Sequence, residues 1–334
     1  MSDKIRWGIL STANINDALI DPIRRAGRSE LVGVASRSRA KVQAYAQEKG
    51  IPKAYDSYEA LLADPDIDAI YNPLPNTLHC EWTVKAAEAG KHVLCEKPIT
   101  PTLAELDEVE VAAKANNVTI FEAFMYLHHP QTLKVKEVIM SGKLGDLQLI
   151  NSWFGYYLPK EDSDNIRLSP DLAGGCMWDV GVYPNSLAVV MAHAGAPVEV
   201  WASQLNGETG VDVSMVAQLK FSNGIMAQIS SGFRSAFREG VHITGSEGRV
   251  WFGEPWKPHL SGQGTQLTFV SKSGQEETIH IPHSDPYQHE VEAMEACVLD
   301  DAAPVVPLSL SREFLRSALA IYQSADTGQP VKLQ

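Results

Sequence analysis

The sequence predicts an α/β protein with an N-terminal doubly wound parallel sheet and a C-terminal α/β domain built on a large, mostly antiparallel sheet. Three observations support this fold class. Strand-length apolar segments alternate with amphipathic helical segments to about residue 125. Strands with alternating apolar and polar residues dominate the second half. The length of 334 residues corresponds to about two typical domains. We therefore expect one domain over residues 1–125 and a second over residues 126–334.

The N-terminal half consists of repeated strand and helix units. Strands are predicted at 5–10, 31–35, 66–71, 92–95 and 118–121. Helices are predicted between them at 15–25, 40–49, 77–90 and 100–117. The last helix has Pro101 in its first turn, where proline is tolerated, and it ends at Asn116-Asn117. Units of this length form parallel sheets with helices on both faces, because each connection returns the chain to the same end of the sheet.

The second half of the chain has a different succession of helices and strands. Helices are predicted at 133–140 and 177–192, strands at 198–205, 211–221 and 225–231, and further helices at 289–299 and 311–323. Ser222-Asn223-Gly224 supplies the residues of a tight hairpin turn, so the strands on either side of it run antiparallel. No repeat or exposed linker separates the two halves. We expect the domains to be in close contact, with the functional site in a cleft between them.

Composition excludes several classes of partner. Asp and Glu outnumber Lys and Arg by 41 to 28, so the net charge of -13 repels nucleic acid and anionic lipid surfaces. No apolar segment is long enough to span a bilayer, and the N-terminus lacks a signal-peptide pattern. The four cysteines have no CxxC spacing and the histidines lack metal-ligand spacing, so neither disulfides nor a metal is predicted. We expect a cytoplasmic protein without nucleic-acid or membrane partners.

A dinucleotide-binding turn is predicted where the first strand ends. Such a turn needs very small residues, because backbone N–H groups at the next helix N-terminus have to approach a pyrophosphate. Only Gly8 of the usual glycines is present, and Ser11 and Ala13 fill the other small positions. A purely structural turn is the alternative, but the position after the first strand favours cofactor binding. The predicted contacts are Gly8, Ser11, Thr12, Ala13, Asn14 and Ile15.

The end of the second strand indicates which dinucleotide is bound. An NAD-selective site places an acidic residue there for the ribose hydroxyl, whereas this chain has Ser36-Arg37-Ser38. The Arg37 guanidinium can form a forked contact with a 2′-phosphate, and the flanking hydroxyls can donate to it. We therefore expect NADP(H) as the cofactor, with NAD(H) less favoured. The alternative use of Arg37 is an ordinary solvated side chain.

Two polar motifs follow later strands of the same sheet. The first is Asn72-Pro73-Leu74-Pro75-Asn76-Thr77-Leu78-His79, and the second is Cys95-Glu96-Lys97-Pro98. Both lie at the carboxyl edge of the predicted sheet, where ligands bind in folds of this kind. The residues expected to contact the cofactor there are Pro73, Leu74, Asn76, His79, Glu96 and Lys97.

These motifs resemble those of the Gfo/Idh/MocA oxidoreductase family. The resemblance covers nearly the whole chain and includes the later segment Gly174-Gly175-Cys176-Met177-Trp178-Asp179-Val180-Gly181-Val182-Tyr183-Pro184. Its Trp-Asp-x-Gly-x-Tyr-Pro form is similar to that of dimeric dihydrodiol dehydrogenase, NADP-dependent D-xylose dehydrogenase and glucose-fructose oxidoreductase. The resemblance implies an N-terminal Rossmann domain, a C-terminal α/β domain and hydride transfer with NADP(H).

The later segment supplies a predicted acid/base group. Asp179 and Tyr183 are four residues apart on the predicted helix, so both side chains emerge on one face near its start. Lowering a tyrosine pKa from about 10 to about 7.5 requires about 3.4 kcal/mol of preferential stabilisation of the phenolate. One ammonium about 4 Å away contributes on the order of 4 kcal/mol in a partly screened site. We predict Tyr183 as general acid/base, Lys97 as the charge that activates it and binds the substrate oxygen, and Asp179 as the group that orients Lys97 or a second hydroxyl.

Other side chains indicate the class of substrate. Arg167 and Asn165 can hydrogen-bond substrate hydroxyls, and Trp178 and Phe154 offer apolar faces, with solvated or core positions as the alternatives. The polar groups outnumber those that one carbinol requires, which favours a sugar over a simple alcohol. The expected reaction is hydride transfer at a carbinol or carbonyl carbon of a sugar, by an aldose dehydrogenase or a keto-sugar reductase.

Two alternatives to this function stay open, and one further partner is expected. The first alternative is a trans-dihydrodiol dehydrogenase, and the second is a non-catalytic NADP-binding regulator. The broad sheet face, which one subunit does not cover, predicts a homodimer or a higher homo-oligomer.

Overall fold

The computed structural model describes residues 4–162, 164–258 and 260–333. The chain forms two compact units. The first comprises the chain up to His128 together with Tyr287–Ser311, and the second comprises His129–Pro286 together with the chain from Arg312. The boundary expected at residue 125 lies near the first crossing between units. The expected second domain, residues 126–334, differs from the second unit near the C-terminus, because Tyr287–Ser311 packs with the first unit.

Each unit is built on one sheet. The strands of the first sheet are β1 (Ile5–Leu10), β2 (Ser29–Ala35), β3 (Lys53–Tyr55), β4 (Ala69–Asn72), β5 (His92–Glu96) and β6 (Ile120–Ala123). The strands of the second are β7 (Leu147–Tyr157), β8 (Glu199–Asn206), β9 (Asp212–Lys220), β10 (Met226–Gly232), β11 (Arg234–Gly245), β12 (Gly248–Phe252), β13 (Thr265–Ser271), β14 (Glu276–Ile281) and β15 (Val331–Lys332).

Helices connect the strands, and side-chain caps set several of their limits. The α-helices are α1 (Asn16–Arg25), α2 (Arg39–Lys49), α3 (Tyr58–Leu62), α4 (His79–Glu88), α5 (Leu103–Asn116), α6 (Pro130–Met140), α7 (Val182–Ala192), α8 (Pro286–Leu299) and α9 (Leu308–Thr327). Thr102 accepts a hydrogen bond from the Glu105 N–H, so α5 begins after Pro101 and not before it. Within the described ranges, no helix has both the length and the apolar character needed to cross a membrane.

The first sheet confirms the predicted doubly wound architecture. Its strand order is β3-β2-β1-β4-β5-β6, and all neighbouring strands run parallel. All residues of the central strand β4 and of the edge strand β6 are buried, as expected for a parallel sheet with helices on both faces. The order reverses between β1 and β4, and the carboxyl ends at such a switch point are where ligands bind in open α/β sheets.

The second sheet confirms the predicted mostly antiparallel architecture. Its order is β14-β13-β12-β11-β7-β10-β9-β8-β15, and β7 with β10 is its one parallel pair in the described part of the chain. The central strand β7 is absent from the sequence prediction. Every residue of α7 is buried, and this helix packs against β7 and β10 on one face of the sheet.

The opposite face of the second sheet carries exposed apolar side chains. Strand register places five of them on this face, which we call the open face: Trp201, Leu205, Val216, Met226 and Trp251. Trp201 lies opposite Gln218, and Val216 lies opposite Ser203, so apolar and polar side chains alternate across the surface. The open face therefore gathers several exposed large apolar side chains on one surface of the sheet.

Candidate active site

The turn between β1 and α1 has the geometry of a phosphate-binding turn. Ser11 adopts a left-handed backbone conformation, with φ of 74°, at a position where such turns commonly use glycine. The backbone N–H groups of Thr12, Ala13 and Asn14 donate to no acceptor within the described residues. The buried Ser11 hydroxyl likewise has no partner in that part of the chain. These groups fit a pyrophosphate at the N-terminus of α1.

Gly8 and Ile15 contribute to this turn in different ways. Gly8 lies inside β1, where an added Cβ would be 2.8 Å from the Leu61 side chain, so a larger residue there would force Leu61 of α3 to shift. Ile15 is the N-cap residue of α1 and provides no side-chain hydrogen bond. The first N–H groups of the helix are therefore not capped by this side chain.

An exposed arginine, Arg37, lies just after the end of β2. Arg37 forms no ion pair with any described residue. It lies beside the Tyr58 hydroxyl. Burial raises the pKa of Tyr58, and the Arg37 charge offsets part of that rise. The Ser36 hydroxyl accepts from the Ser38 N–H at 3.3 Å, and the Ser38 hydroxyl caps α2. Ser38 is thus used by the helix, and Arg37 is the group available to an anion.

Asn72 organises the loop that follows β4. This fully buried side chain donates to the His79 carbonyl at 3.3 Å and to the Thr83 hydroxyl at 3.1 Å, and it accepts from the Leu74 N–H at 3.3 Å. The sequence analysis assigns no role to Asn72. Its three hydrogen bonds fold residues 73–76, with the predicted contacts Pro73 and Asn76, back over the carboxyl end of β4.

His79 joins two loops of the first unit. Its ring is fully buried, with Nδ1 2.7 Å from the Pro98 carbonyl and Nε2 2.7 Å from the Leu74 carbonyl. Burial lowers the pKa of His79, and the two carbonyls offset part of that change. Both ring nitrogens are occupied by backbone oxygens. His79 therefore positions the loops and leaves no nitrogen for the direct cofactor contact that the sequence analysis expects.

The end of β5 carries the half-buried Lys97. A cis peptide bond joins it to Pro98. The preceding Glu96 accepts from the Tyr71 hydroxyl at 2.6 Å, which ties its carboxylate to β4. Burial raises the pKa of the neighbouring Cys95 thiol well above its ordinary value, so this cysteine stays protonated. Lys97 places a half-buried ammonium directly after this strand.

The helix that carries Asp179 and Tyr183 begins irregularly. Met177–Gly181 is a π-helical turn, and α7 continues from Val182. The sequence predicts a regular helix over 177–192, whereas the structure has a π-helical turn at the start of that range. Asp179 lies in the π turn and Tyr183 in the first turn of α7. Such turns are frequent at functional sites because they shift side chains relative to the regular helix.

Asp212 of β9 anchors the start of this helix. Its carboxylate accepts from the Met177 N–H at 2.7 Å, the Cys176 thiol at 3.0 Å and the Tyr322 hydroxyl at 2.8 Å. Gly175 has φ of 122°, and an added Cβ would be 2.0 Å from this carboxylate, so only glycine fits. Burial raises the pKa of the Cys176 thiol, which acts here as a hydrogen-bond donor.

Asp179 is held by a phenol and a guanidinium. Its Oδ2 accepts from the Tyr156 hydroxyl at 2.8 Å and from Arg167 Nε at 3.1 Å. The Asp179 charge raises the pKa of Arg167, and Tyr183 adds to this effect. Burial raises the pKa of Tyr156. Asn165 accepts from the Arg167 N–H at 3.1 Å, so its oxygen shapes the turn that presents Arg167.

An aromatic wall surrounds Tyr183. Its buried ring is centred 5.5 Å from the Phe154 ring and 5.8 Å from the Trp256 ring. Trp178 points elsewhere, with its ring centred 5.2 Å from that of Tyr322 on α9. The sequence analysis predicted Phe154 and missed Trp256, which belongs to the connection between β12 and β13 and has no local signal of its own.

Each unit offers its own set of chemical groups. The first unit presents open backbone N–H groups, an exposed guanidinium and a half-buried ammonium, which together suit a phosphorylated dinucleotide. The second presents a carboxylate, a guanidinium and two phenols beside aromatic rings, which suits a ring with several hydroxyls. Tyr156 joins this second set although the sequence analysis did not name it, because β7 itself was not recognised as a strand.

Both parts of the chain match models of one protein family. Residues 5–124 match the model described as "Oxidoreductase family, NAD-binding Rossmann fold". Residues 132–251 match the model described as "GFO/IDH/MocA C-terminal domain". Together these segments include more than half of the chain.

Individual relatives agree with these matches. D-xylose 1-dehydrogenase (NADP(+)) 2 of Haloferax volcanii is 38% identical over 98% of this chain and 99% of its own length. Trans-1,2-dihydrobenzene-1,2-diol dehydrogenase of Xenopus tropicalis is 30% identical over 84% of this chain and 82% of its own. The crystal structure of a 3-ketoreductase from Actinomadura kijaniata with NADP and TDP-benzene superposes with a TM-score of 0.87 at 27% identity, covering 96% of this chain and 98% of the other.

Proposed function

Because the chain belongs to the Gfo/Idh/MocA oxidoreductase family, we propose that it is an NADP(H)-dependent oxidoreductase that transfers a hydride to or from a carbinol or carbonyl carbon of a sugar. One observation carries the substrate class: the Asp179 carboxylate is bound by Tyr156 and Arg167 beside Tyr183. These polar groups exceed what a single carbinol needs, and the surplus suits neighbouring hydroxyls. The D-xylose dehydrogenase and the NADP-bound ketoreductase support the same class.

The cofactor site is assigned to the first unit. NADP(H), when bound, supplies or accepts the hydride. The turn of Ser11, Thr12, Ala13, Asn14 and Ile15 binds the pyrophosphate through open N–H groups, with Gly8 allowing the close packing beneath it. Arg37 binds the 2′-phosphate, with the hydroxyls of Ser36 and Ser38 beside it. The remaining cofactor contacts at the edge of the sheet are Pro73, Leu74, Asn76 and Glu96.

The acid/base role is assigned to Tyr183. Oxidation of a carbinol takes a hydride from carbon and a proton from oxygen, and Tyr183 accepts that proton; in reduction it returns the proton to the carbonyl oxygen. The Lys97 ammonium stabilises the negative charge that develops on the substrate oxygen. Asp179, held by Arg167, accepts a hydrogen bond from a neighbouring substrate hydroxyl. The Phe154 ring packs on an apolar face of the sugar.

Dihydrodiol oxidation is the second candidate function. The aromatic wall of Phe154, Tyr183 and Trp256 would also accommodate an apolar ring, and the amphibian dihydrodiol dehydrogenase is a relative over most of the chain. Only two of the polar groups would then be used. A non-catalytic regulator, in contrast, would have no use for Lys97, Asp179 and Tyr183 together.

The substrate class can be tested with four compounds. We expect D-xylose or D-glucose to exceed 2-propanol by at least about two orders of magnitude in kcat/KM with NADP+, because unpaired polar groups penalise substrates that lack hydroxyls. 1,2-Cyclohexanediol tests the second candidate. Turnover of the diol without turnover of either sugar would overturn the sugar assignment. NADPH binding without turnover of any substrate, keto sugars included, would favour the regulator.

The acid/base assignment predicts a selective loss of turnover. Tyr183→Phe should lower kcat by about 10² to 10⁴-fold and leave the Kd for NADPH unchanged, because only proton transfer is lost. Lys97→Met should in addition raise the apparent pKa of the remaining activity. Tyr157→Phe, which removes an exposed hydroxyl from the same unit, is the control and should behave as wild type. Retention of more than a tenth of kcat by Tyr183→Phe, with chemistry rate-limiting, would assign the proton transfer elsewhere.

The cofactor assignment predicts a mutation that affects NADP(H) alone. Arg37→Ala should weaken NADPH binding by roughly 10 to 150-fold, since a charge-assisted hydrogen bond contributes about 1.5 to 3 kcal/mol, and should leave NADH binding nearly unchanged. Arg39→Ala removes an exposed arginine two positions away and should change neither affinity. Fluorescence titration of both nucleotides measures this. Equal affinity of the wild-type protein for the two nucleotides contradicts the assignment.

We also propose that the protein is a cytoplasmic homo-oligomer that associates through the open face. All four cysteines are buried free thiols, as suits a reducing compartment, and fractionation of the source cells tests that location. Trp201, Val216, Met226 and Trp251 present large apolar groups on one sheet surface, and pairing two copies would remove them from water.

The association surface predicts which substitution dissociates the oligomer. Val216→Glu should produce monomers in sedimentation velocity, because burying an unpaired carboxylate in an apolar interface is unfavourable. Val111→Glu replaces a still more exposed valine on α5 and should leave the oligomer intact. A wild-type protein that sediments as a monomer at micromolar concentration would rule out the proposal.

A further inference from the structure

One peptide group next to Lys97 is hydrogen-bonded at both of its ends by buried side chains. The Pro98 carbonyl lies 2.7 Å from His79 Nδ1. The N–H of the same peptide group, which belongs to Ile99, donates to Glu122 Oε1 at 3.0 Å. Within the described residues, neither of these two atoms has another hydrogen-bond partner. The plane of this peptide is therefore set by two side chains and not by neighbouring backbone.

The two side chains come from different elements and are deeply buried. His79 is the first residue of α4 and is fully buried, and Glu122 lies on β6 with 3% of its surface exposed. The second ring nitrogen of His79 contacts the Leu74 carbonyl at 2.7 Å. The loop after β4 and the loop after β5 are thereby tied together through one imidazole.

Glu122 also interacts with the charge of Lys97. Burial raises the pKa of Glu122 to about 7, while the Ser311 hydroxyl, the Ile99 N–H and the Lys97 ammonium lower it and the charge of Glu96 raises it. Its Oε2 atom is buried and has no partner among the described residues. Burying the Glu122 carboxyl is energetically unfavourable, and the hydrogen bond that it accepts comes from the loop that carries Lys97.

We propose that His79 and Glu122 form a two-ended clamp on the Pro98–Ile99 peptide that positions Lys97 for hydride transfer. This inference rests on the proposed role of Lys97. Holding both ends of one peptide prevents its rotation, and rotation there would displace the adjacent Lys97 side chain. Displacements of about 1 Å in a catalytic group can cost on the order of 10²-fold in rate. His79 and Glu122 are positioning residues, because they act on Lys97 and do not contact substrate.

The test compares two substitutions of Glu122 with one matched control. Glu122→Gln keeps an oxygen that accepts from the Ile99 N–H, whereas Glu122→Met removes it at similar volume. Glu295→Met is the control, because Glu295 is also buried in the first unit and accepts from a backbone N–H, that of Arg28, at 2.9 Å. Each purified full-length variant is measured for kcat and KM with the best aldose, for the Kd of NADPH, and for the rate of Lys97 acetylation by acetic anhydride at pH 8.

The clamp predicts a distinct pattern. Glu122→Met should lower kcat by about 30-fold or more, change the Kd of NADPH less than threefold, and speed Lys97 acetylation at least threefold. Glu122→Gln should keep kcat within about fivefold of the wild-type value. Glu295→Met should match wild type in kcat, in the Kd of NADPH and in the acetylation rate. Equal losses in Glu122→Met and Glu295→Met, or equal losses in Glu122→Met and Glu122→Gln, would overturn the clamp.

The acetylation rate separates failure of the clamp from failure of the proposed function. Lys97→Met tests the function alone: wild-type turnover in that variant removes Lys97 from catalysis whatever Glu122 does. The reactivity of Lys97 reports on its positioning without any sugar substrate. Unchanged acetylation in Glu122→Met would overturn the clamp even if turnover fell. His79→Gln, which keeps one donor, should give a smaller increase in acetylation than Glu122→Met, and no increase in either would contradict the proposal.

Discussion

Backbone groups that leave a strand or enter a helix lose their regular partners, and the loops of this protein depend on buried polar side chains that replace those partners. Asn72 folds the loop after β4, and Asp212 receives the first N–H of the helix that carries Asp179 and Tyr183. His79 and Glu122 hold the peptide after Pro98. A buried backbone group without a partner costs about 1 to 3 kcal/mol. The loops are therefore stable in the arrangement that these side chains impose.

The positive groups of the site are used in different ways within an acidic protein. Arg37 is exposed and forms no ion pair within the described residues, so it is ready to bind an anion. Arg167, in contrast, is committed to Asp179, and the two charges stabilise each other. With a net charge of -13, the molecule does not attract anions in general. Recognition of a phosphate is therefore confined to a few local cations and backbone N–H groups.

Several polar residues of the motifs serve the fold first. The Ser38 hydroxyl caps α2, the Asn165 oxygen shapes the turn before Arg167, and both nitrogens of His79 lie 2.7 Å from carbonyl oxygens. A motif residue can thus be essential to the site without touching a ligand, because a buried donor or acceptor has to be satisfied before it can act in chemistry. Tyr156 and Trp256 show the converse, since neither belongs to a motif and both lie against site residues.

The sequence by itself determined the doubly wound sheet, the succession of its strands and helices along the chain, and the carboxyl edge where Lys97 lies. These features could be predicted because apolar periodicity and helix caps are local signals. It also predicted Asp179 and Tyr183 as site residues from one short segment. Only the tertiary structure decided the rest. Strand β7 has apolar residues on both faces, so it lacks the alternation that predicts a strand. Asp212 anchors the segment that carries Asp179 and Tyr183, and Glu122 anchors the loop that carries Lys97; each contact joins residues more than twenty positions apart. Such contacts leave no periodic trace in the sequence, because burial and long-range pairing create them when the chain folds.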